Sequence, residues 1–160
     1  MKSISITSTL EVYDSFDELP SDVQNLMNKA IETRDTAYAP YSKFRVGAAI
    51  LLQNNEIITG SNQENASYPS GLCAERTAIY YAGAKYPKIP ILKIAISAKS
   101  SEFEVKNPVP PCGACRQAIA EYEILQKQPI EIFFSGETGK VVKSNSLRDL
   151  LPFGFDNTYL

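Results

Sequence analysis

The sequence predicts an α/β fold, a three-layer α/β/α sandwich around a mixed sheet of about five strands. Segments with apolar residues at helical spacing alternate along the chain with short apolar segments of strand length. Such alternation is typical of a sheet that is covered by helices. The 160 residues are enough for one hydrophobic core and too few for two.

The chain divides into a predicted N-terminal extension, residues 1–19, and a single domain, residues 20–160. The extension has a loose alternation of apolar residues among Ser and Thr, which suits an edge strand or a poorly ordered arm. No segment resembles a signal peptide or a membrane span. We therefore expect a cytoplasmic protein without a membrane partner.

The first half of the domain has the pattern of a helix followed by a β-hairpin. Apolar spacing predicts a helix that ends near Thr36, with Ser21 as its N-cap. Two strands follow, Phe44 to Leu52 and Glu56 to Thr59, and the turn between them is at Asn54-Asn55.

The second half of the domain continues the alternation of helix and strand. Its predicted elements are a helix from Cys73 to about Ala84, a strand from Ile91 to Ser97, a loop from Lys99 to Pro111, a helix that begins at or just after Cys112, strands at 130–134 and 141–142, and a capped helical turn at 146–150. Two cysteine-containing segments therefore stand at predicted helix starts.

Charge and composition exclude several classes of function. The 16 basic and 18 acidic residues give a net charge of −2 without a basic patch, which argues against a nucleic-acid partner. The chain has no histidine, which excludes Ser-His and Cys-His nucleophilic catalysis. A metal ion in this protein must be held by sulfur and oxygen.

All three cysteines lie in two short motifs, Cys73-Ala74-Glu75 and Pro111-Cys112-Gly113-Ala114-Cys115. An odd number of cysteines with one C-x-x-C favours metal or redox use over disulfides. Three thiolates on Zn²⁺ leave its fourth position open to water, as in catalytic zinc sites. The free N–H groups at a helix start also favour the thiolate form. We predict one Zn²⁺ per chain, held by Cys73, Cys112 and Cys115.

Glu75 and Arg76 are the neighbours that give this predicted site its chemistry. Glu75 stands two residues from a ligand, so it can move protons for a water without binding the metal. Arg76 can hydrogen-bond to the sulfurs and offset the net charge of −1 that three thiolates and Zn²⁺ carry. The combination predicts hydrolytic chemistry. The alternatives are a redox C-x-x-C, which leaves Glu75 unexplained, and a structural zinc with a fourth protein ligand.

The order Cys-x-Glu and then Pro-Cys-x-x-Cys is the pattern of zinc deaminases, and the chain resembles cytidine deaminases of the small-subunit, homotetrameric kind. Five separated segments carry the resemblance in the expected order: residues 37–49 (AYAPYSKFRVGAA), 62–69 (NQENASYP), 73–78 (CAERTA), 111–117 (PCGACRQ) and 150–155 (LLPFGF).

The resemblance implies a hydrolase that deaminates cytidine and deoxycytidine to uridine and deoxyuridine with release of ammonia, a reaction of pyrimidine salvage. It implies that Glu75 carries protons between water, N3 of the cytosine ring and the leaving amino group. It also implies that Asn62 and Glu64 bind the ribose 3′-hydroxyl, that Phe44 stacks on the pyrimidine, and that the Ala74 N–H donates to the base carbonyl.

The resemblance further implies a homotetramer with active sites at subunit interfaces, where Phe155 reaches into a neighbouring subunit's site. Phe153 competes for that assignment. Other interpretations are a deaminase of a cytosine-bearing antibiotic, a nucleic-acid editing deaminase and a non-catalytic zinc-stabilised binding module. The segment from Asn62 to Asn65 favours a plain nucleoside.

Overall fold

The computed structural model describes all 160 residues and contains one six-stranded mixed sheet with helices on both faces. The strands are β1 (Leu10–Tyr13), β2 (Phe44–Leu52), β3 (Ile57–Ser61), β4 (Ile91–Ser100), β5 (Glu131–Ser135) and β6 (Val141–Ser144), and the helices are α1 (Ser21–Arg34), α2 (Ala74–Lys85) and α3 (Gly113–Gln126). The order in the sheet is β1-β6-β5-β4-β2-β3, with β4 and β5 parallel and the other pairs antiparallel. None of the three helices has the length and apolar character that a bilayer crossing requires.

Two hydrophobic cores lie on opposite faces of the sheet, because successive side chains of a strand point to opposite faces. On β4, Ile94 and Ile96 belong to the larger core under α2 and α3, whereas Ala95 belongs to the smaller core under α1. Helix α1 lies very close to the sheet, since a Cβ atom on Gly47 would stand only 2.0 Å from the Ala30 carbonyl oxygen. The predicted three-layer sandwich is confirmed.

The sheet has six strands rather than about five because part of the N-terminal extension joins it. Strand β1 pairs antiparallel with β6, from Leu10 opposite Ser144 to Tyr13 opposite Val141. A strand of four residues among Ser and Thr gives too weak an alternation to be separated from an arm by sequence alone.

Several predicted boundaries differ from the structure by a few residues: α1 ends at Arg34, β3 is Ile57–Ser61 and β6 is Val141–Ser144. Two further differences have a clear cause. Ser21 is the first residue of α1 and not its N-cap. Pro20 occupies the cap position with an extended backbone, and no side chain caps this helix. Strand β4 extends to Ser100 because it pairs with β2 along its whole length, as far as Phe44. The capped turn at 146–150 is confirmed, since the Ser146 hydroxyl accepts from the Arg148 N–H.

The cysteine-bearing helices α2 and α3 lie side by side on one face of the sheet. Gly60 on β3 lets α2 approach, because a Cβ atom there would stand 2.6 Å from the Ala78 nitrogen. Gly83 on α2 likewise makes room for Tyr122 of α3. The buried Glu123 carboxylate accepts hydrogen bonds from the N–H groups of Ile130 and Leu147, so it ties α3 to the start of β5. These contacts fix the packing of α2 and α3 against the sheet and against each other.

A row of ion pairs crosses the sheet on the α1 side. The Lys93 ammonium lies 2.8 Å from the Asp22 carboxylate and 3.3 Å from that of Glu131, which also lies 2.8 Å from the Lys143 ammonium. Partial burial raises the pKa of Glu131, but the hydrogen bond and charge of Lys143, joined by Lys93, outweigh it and hold the pKa below its usual range.

Substitution Glu131→Gln is expected to lower the free energy of unfolding at pH 7 by less than about 1 kcal/mol, since exposure screens the pairs. The folded-state pKa is depressed, so this stabilisation is present above the unfolded pKa of roughly 4.3 and is lost as the pH falls through the folded-state value. Denaturant unfolding of the parent and the variant at pH 7 and at about pH 3 measures the loss in the free energy of unfolding. Glu137→Gln, at an exposed position, is the control. Equal losses at both pH values would contradict the assignment.

Candidate metal centre and active site

The sulfur atoms of Cys73, Cys112 and Cys115 form a cluster at the N-termini of α2 and α3. Cys73 and Cys112 are the N-cap residues of these helices, and Cys115 lies in the first turn of α3. The Cys112 Sγ atom is 3.8 Å from that of Cys73 and 3.5 Å from that of Cys115. All three sulfurs lie within 4.8 Å of one another, and no disulfide joins them. We call this group the sulfur cluster.

The spacing of the sulfur cluster fits a tetrahedral zinc ion. Zinc binds thiolate sulfur at about 2.3 Å, so two sulfurs on one tetrahedral ion stand about 3.8 Å apart. The measured separations of 3.5 and 3.8 Å agree with this value. The group of potential ligands consists of these three sulfurs, which would supply three of the four positions of such an ion.

Hydrogen bonds within the cluster favour a thiolate at Cys73. The bond from Cys115 lowers the pKa of Cys73 to about 5, against partial burial and with further help from Arg76 and Cys112. The same bond and burial raise the pKa of Cys115. An Arg76 guanidinium nitrogen lies 3.7 Å from the Cys73 sulfur, which puts a positive charge beside the cluster. The Arg76 Nε atom is buried without a hydrogen-bond partner.

Glu75 occupies the second position of α2 with only 5 % of its surface exposed. Burial raises the pKa of Glu75, and the negative charge of Cys73 adds to the effect, while its own backbone N–H and a hydrogen bond from Cys115 oppose it. A carboxyl group with a raised pKa can both accept and donate a proton near neutral pH. Glu75 therefore stands beside the sulfur cluster with a buried carboxyl group that can exchange a proton.

A cavity of about 440 Å³ opens next to the sulfur cluster. Four of the sequence-predicted site residues line it: Asn62, Glu64, Cys73 and Arg76. The other lining residues are Tyr41, Ser42, Gln63, Asn65, Tyr68, Gly71 and Leu72. The cavity thus joins a predicted metal ligand to the polar segment between β3 and α2.

Asn62 is held firmly at the start of that polar segment. Its side-chain oxygen accepts from the Val46 N–H at 2.7 Å, and its side-chain nitrogen donates to the Phe44 carbonyl at 3.0 Å. Both bonds go to the backbone of β2. The Asn62 side chain therefore has a fixed orientation at the cavity wall, with one proton and one lone pair left for a ligand.

Glu64 presents an ionised carboxylate to the cavity. It accepts hydrogen bonds from the Tyr41 N–H at 2.9 Å, the Ser42 N–H at 3.3 Å and the Ser42 hydroxyl. Slight burial raises the pKa of Glu64, but the bonds from Ser42 and Tyr41 outweigh it and lower the pKa below its usual range. The carboxylate is charged at neutral pH and can accept further bonds from a hydroxyl.

Three predicted substrate-binding residues do not line this cavity. Phe44 is half-buried at the start of β2, and Ala74 is fully buried as the first residue of α2. Phe155 lies near the C-terminus with 58 % of its surface exposed, and Phe153 is 80 % exposed. Phe155 therefore has no part in the cavity of its own chain.

Comparison with known proteins identifies the family. The model of the cytidine and deoxycytidylate deaminase zinc-binding region matches residues 20–128. This chain belongs to that family. It is 40 % identical over 134 residues to a cytidine deaminase of Halalkalibacterium halodurans. The matched residues cover 84 % of this chain and 94 % of the relative. For a deaminase with a zinc-binding region, the sulfur cluster fits one zinc ion per chain.

Solved structures of cytidine deaminases agree with the membership. The crystal structure of the enzyme from Burkholderia pseudomallei matches with a TM-score of 0.72 at 37 % identity, covering 86 % of this chain and 100 % of that one. The structure from Mycobacterium tuberculosis matches with a TM-score of 0.65 at 30 % identity, covering 86 % and 99 %. The likeness therefore extends over the whole length of these deaminases.

Sequence analysis missed two aromatic residues of the deaminase cavity, Tyr41 and Tyr68. Their rings are 6.5 Å apart and come from two different loops. Both are exposed aromatic side chains inside polar, turn-rich segments, where no hydrophobic core requires them. That placement, and their position within the segments 37–49 and 62–69, was the available signal.

Substitution Cys115→Ser is expected to weaken zinc binding by roughly tenfold or more, because a serine hydroxyl replaces a thiolate ligand. Thermal stability should fall with it, since the bound ion stabilises the folded state. Metal analysis of the purified protein and unfolding scans with and without a chelator measure both effects. Ala114→Ser, in the same helical turn, is the matched control. A full zinc content in Cys115→Ser would contradict the ligand assignment.

Proposed function

We propose that this chain catalyses the hydrolytic deamination of cytidine and deoxycytidine to uridine and deoxyuridine, with release of ammonia. The observation that carries the proposal is a buried carboxyl group, Glu75, beside a three-sulfur cluster at a cavity with fixed polar groups. The names of the relatives support the same substrate class. The reaction belongs to pyrimidine salvage.

Cys73, Cys112 and Cys115 would hold the zinc ion, which when bound lowers the pKa of a water toward about 7. Glu75 takes a proton from this water and delivers it to N3 of the cytosine ring, which makes C4 more electrophilic. After the water oxygen has added to C4, Glu75 moves the remaining hydroxyl proton to the 4-amino group. The C4–N bond breaks, ammonia leaves and C4 becomes the carbonyl carbon of uracil.

The ribose is proposed to bind on the side of the cavity away from the sulfurs. The ionised Glu64 carboxylate accepts from the 3′-hydroxyl, and the fixed Asn62 amide supplies its free proton and lone pair. At the start of α2, the Ala74 N–H is one of the groups that the helix leaves unpaired, so it can donate to the base carbonyl. Phe44 is proposed to stack on the pyrimidine.

The active assembly is proposed to be a homotetramer in which Phe155 completes a neighbouring subunit's site. Support comes from the exposure of Phe155 and from its absence from the cavity of its own chain. Residues 20–160 would form the catalytic domain and residues 1–19 an added extension. A cytoplasmic location stays a prediction.

The proposal is tested with purified protein whose zinc content has been measured. With cytidine, ultraviolet absorbance should fall as uridine forms, and one ammonia should appear for each cytidine consumed. A single-stranded oligonucleotide and a cytosine-bearing antibiotic test the other two deaminase types. Full zinc content without ammonia from any of these compounds would make the chain a zinc-stabilised binding module and overturn the proposal.

Glu75→Gln is expected to keep one zinc per chain and to lower kcat by about 10²- to 10⁴-fold, because the amide fills the same space and cannot relay protons. Zinc analysis and the cytidine assay on one preparation separate the two effects. Glu121→Gln, an exposed glutamate on α3, is the control. Near-normal turnover in Glu75→Gln refutes the proposed proton carrier.

Glu64→Gln is expected to raise the KM for cytidine by roughly tenfold or more, since a hydrogen bond to a charged group is worth about 1.5–3 kcal/mol. With 3′-deoxycytidine the same substitution should change the KM much less, because the hydroxyl that pairs with Glu64 is missing. Steady-state kinetics on both substrates measures the difference. Equal effects on the two would show that Glu64 does not read the 3′ position.

A further inference from the structure

The side-chain amide of Gln117 forms two hydrogen bonds with the backbone of Phe155. Its nitrogen donates to the Phe155 carbonyl at 2.7 Å, and its oxygen accepts from the Phe155 N–H at 3.3 Å. The two residues are 38 positions apart in the sequence. A paired contact of this kind fixes both the position and the orientation of one residue's backbone, as a neighbouring strand would.

Phe155 belongs to the C-terminal segment, residues 150–160. Arg116, the residue before Gln117, forms a hydrogen bond with the start of this segment. Its guanidinium donates to the Leu150 carbonyl at 3.0 Å and to the Pro111 carbonyl at 2.8 Å. Pro111 directly precedes the ligand Cys112, and Gln117 follows the ligand Cys115 by two residues. The C-terminal segment is therefore attached to the same turns of α3 that carry two of the three sulfurs.

The ring of Phe155 has little else to hold it. It is 58 % exposed and stacks at 5.6 Å on Tyr159, which is itself 70 % exposed. No other hydrogen bond of Phe155 is present. Since burial of apolar surface is small here, the two bonds to Gln117 are the main constraint on where the ring lies.

We propose that Gln117 is a positioning residue: it sets the place of Phe155 and, through it, the affinity of a neighbouring subunit's site for the pyrimidine nucleoside. The second half of this inference rests on the proposed function, in which Phe155 contacts that nucleoside. The first half concerns only the chain itself. Gln117 acts without touching the substrate, so its loss weakens binding and leaves the sulfur cluster and Glu75 intact.

The position of Phe155 can be followed without substrate, because the chain contains no tryptophan. Phe155→Trp supplies a single fluorescent reporter. Adding Gln117→Ala to this background should shift the emission of the reporter and raise its quenching by acrylamide by about twofold, since two backbone bonds are lost. Gln53→Ala, an exposed glutamine in the β2–β3 turn, is the control. Unchanged emission and quenching in the Gln117→Ala background would overturn the positioning role.

Kinetics on the zinc-loaded enzyme tests the second half. Gln117→Ala should raise the KM for cytidine by about tenfold, with kcat within about twofold and one zinc per chain. If Gln117 acts through Phe155, the double variant Gln117→Ala/Phe155→Ala should match Phe155→Ala alone. The inference is overturned if the effects of the two substitutions on KM add in the double variant. It is also overturned if Gln117→Ala has the same KM as the parent protein.

The outcomes of these two experiments distinguish a failure of this inference from a failure of the proposed function. A parent protein that has zinc and does not deaminate cytidine overturns the proposed function and the substrate half of the inference, whereas the fluorescence result still decides the contact between Gln117 and Phe155. A parent protein that deaminates cytidine, together with a Gln117→Ala variant that keeps the parent's KM, overturns the inference alone. Thermal unfolding of Gln117→Ala shows whether the variant is folded. Gln117→Glu keeps the acceptor and loses the donor, so it repeats the test if the alanine variant is unstable.

Discussion

The convergence of two helix N-termini on one point is the constraint on which the rest of this structure depends. Each helix start offers unpaired N–H groups and the positive end of its dipole, which together favour negative sulfur there. The sulfurs must also lie within a few ångströms of one another, so α2 and α3 have no freedom to drift apart. Gly60 beneath α2 and Gly83 against Tyr122 allow the close packing that fixes their separation. The position of the sulfur cluster is therefore a property of the core.

The cavity beside the cluster is built differently, from loops that are joined by backbone hydrogen bonds. The Tyr38 N–H donates to the Asn62 carbonyl at 3.0 Å, the Glu64 N–H donates to the Tyr38 carbonyl at 2.9 Å, and Gln63 pairs with Leu72 in both directions at 2.9 Å. These bonds place the Glu64 carboxylate over the amides of residues 41 and 42, which keep it ionised. Loops that would otherwise move are thereby ordered before any ligand arrives, which lowers the entropy cost of binding.

The sequence was most informative where the signal is local. Helical spacing and strand alternation located the main elements, and the two cysteine motifs identified the sulfurs because a ligand set needs particular residue types at particular spacings. The remaining features depend on contacts between distant residues. The edge strand β1 exists because β6 offers a partner, and Tyr41 meets Tyr68 only once two loops have folded together. The prediction of Ser21 as the N-cap is wrong because the cap position depends on the backbone conformation at Pro20, which residue type alone does not determine.

Helix α3 links the metal centre to the C-terminal segment, and its geometry explains how. Cys112 is the N-cap residue of α3, Cys115 lies in its first turn, and Arg116 and Gln117 are the next two residues. An α-helix rises 1.5 Å per residue and is stiff over such a span, so the distance from the sulfurs to these two side chains is fixed. Arg116 and Gln117 then hold residues 150–155 through three side-chain hydrogen bonds, one to the Leu150 carbonyl and two to the carbonyl and N–H of Phe155. Arg116 also donates to the Pro111 carbonyl. The C-terminal segment is therefore positioned from the same end of α3 that carries Cys112 and Cys115, through the side-chain hydrogen bonds of Arg116 and Gln117.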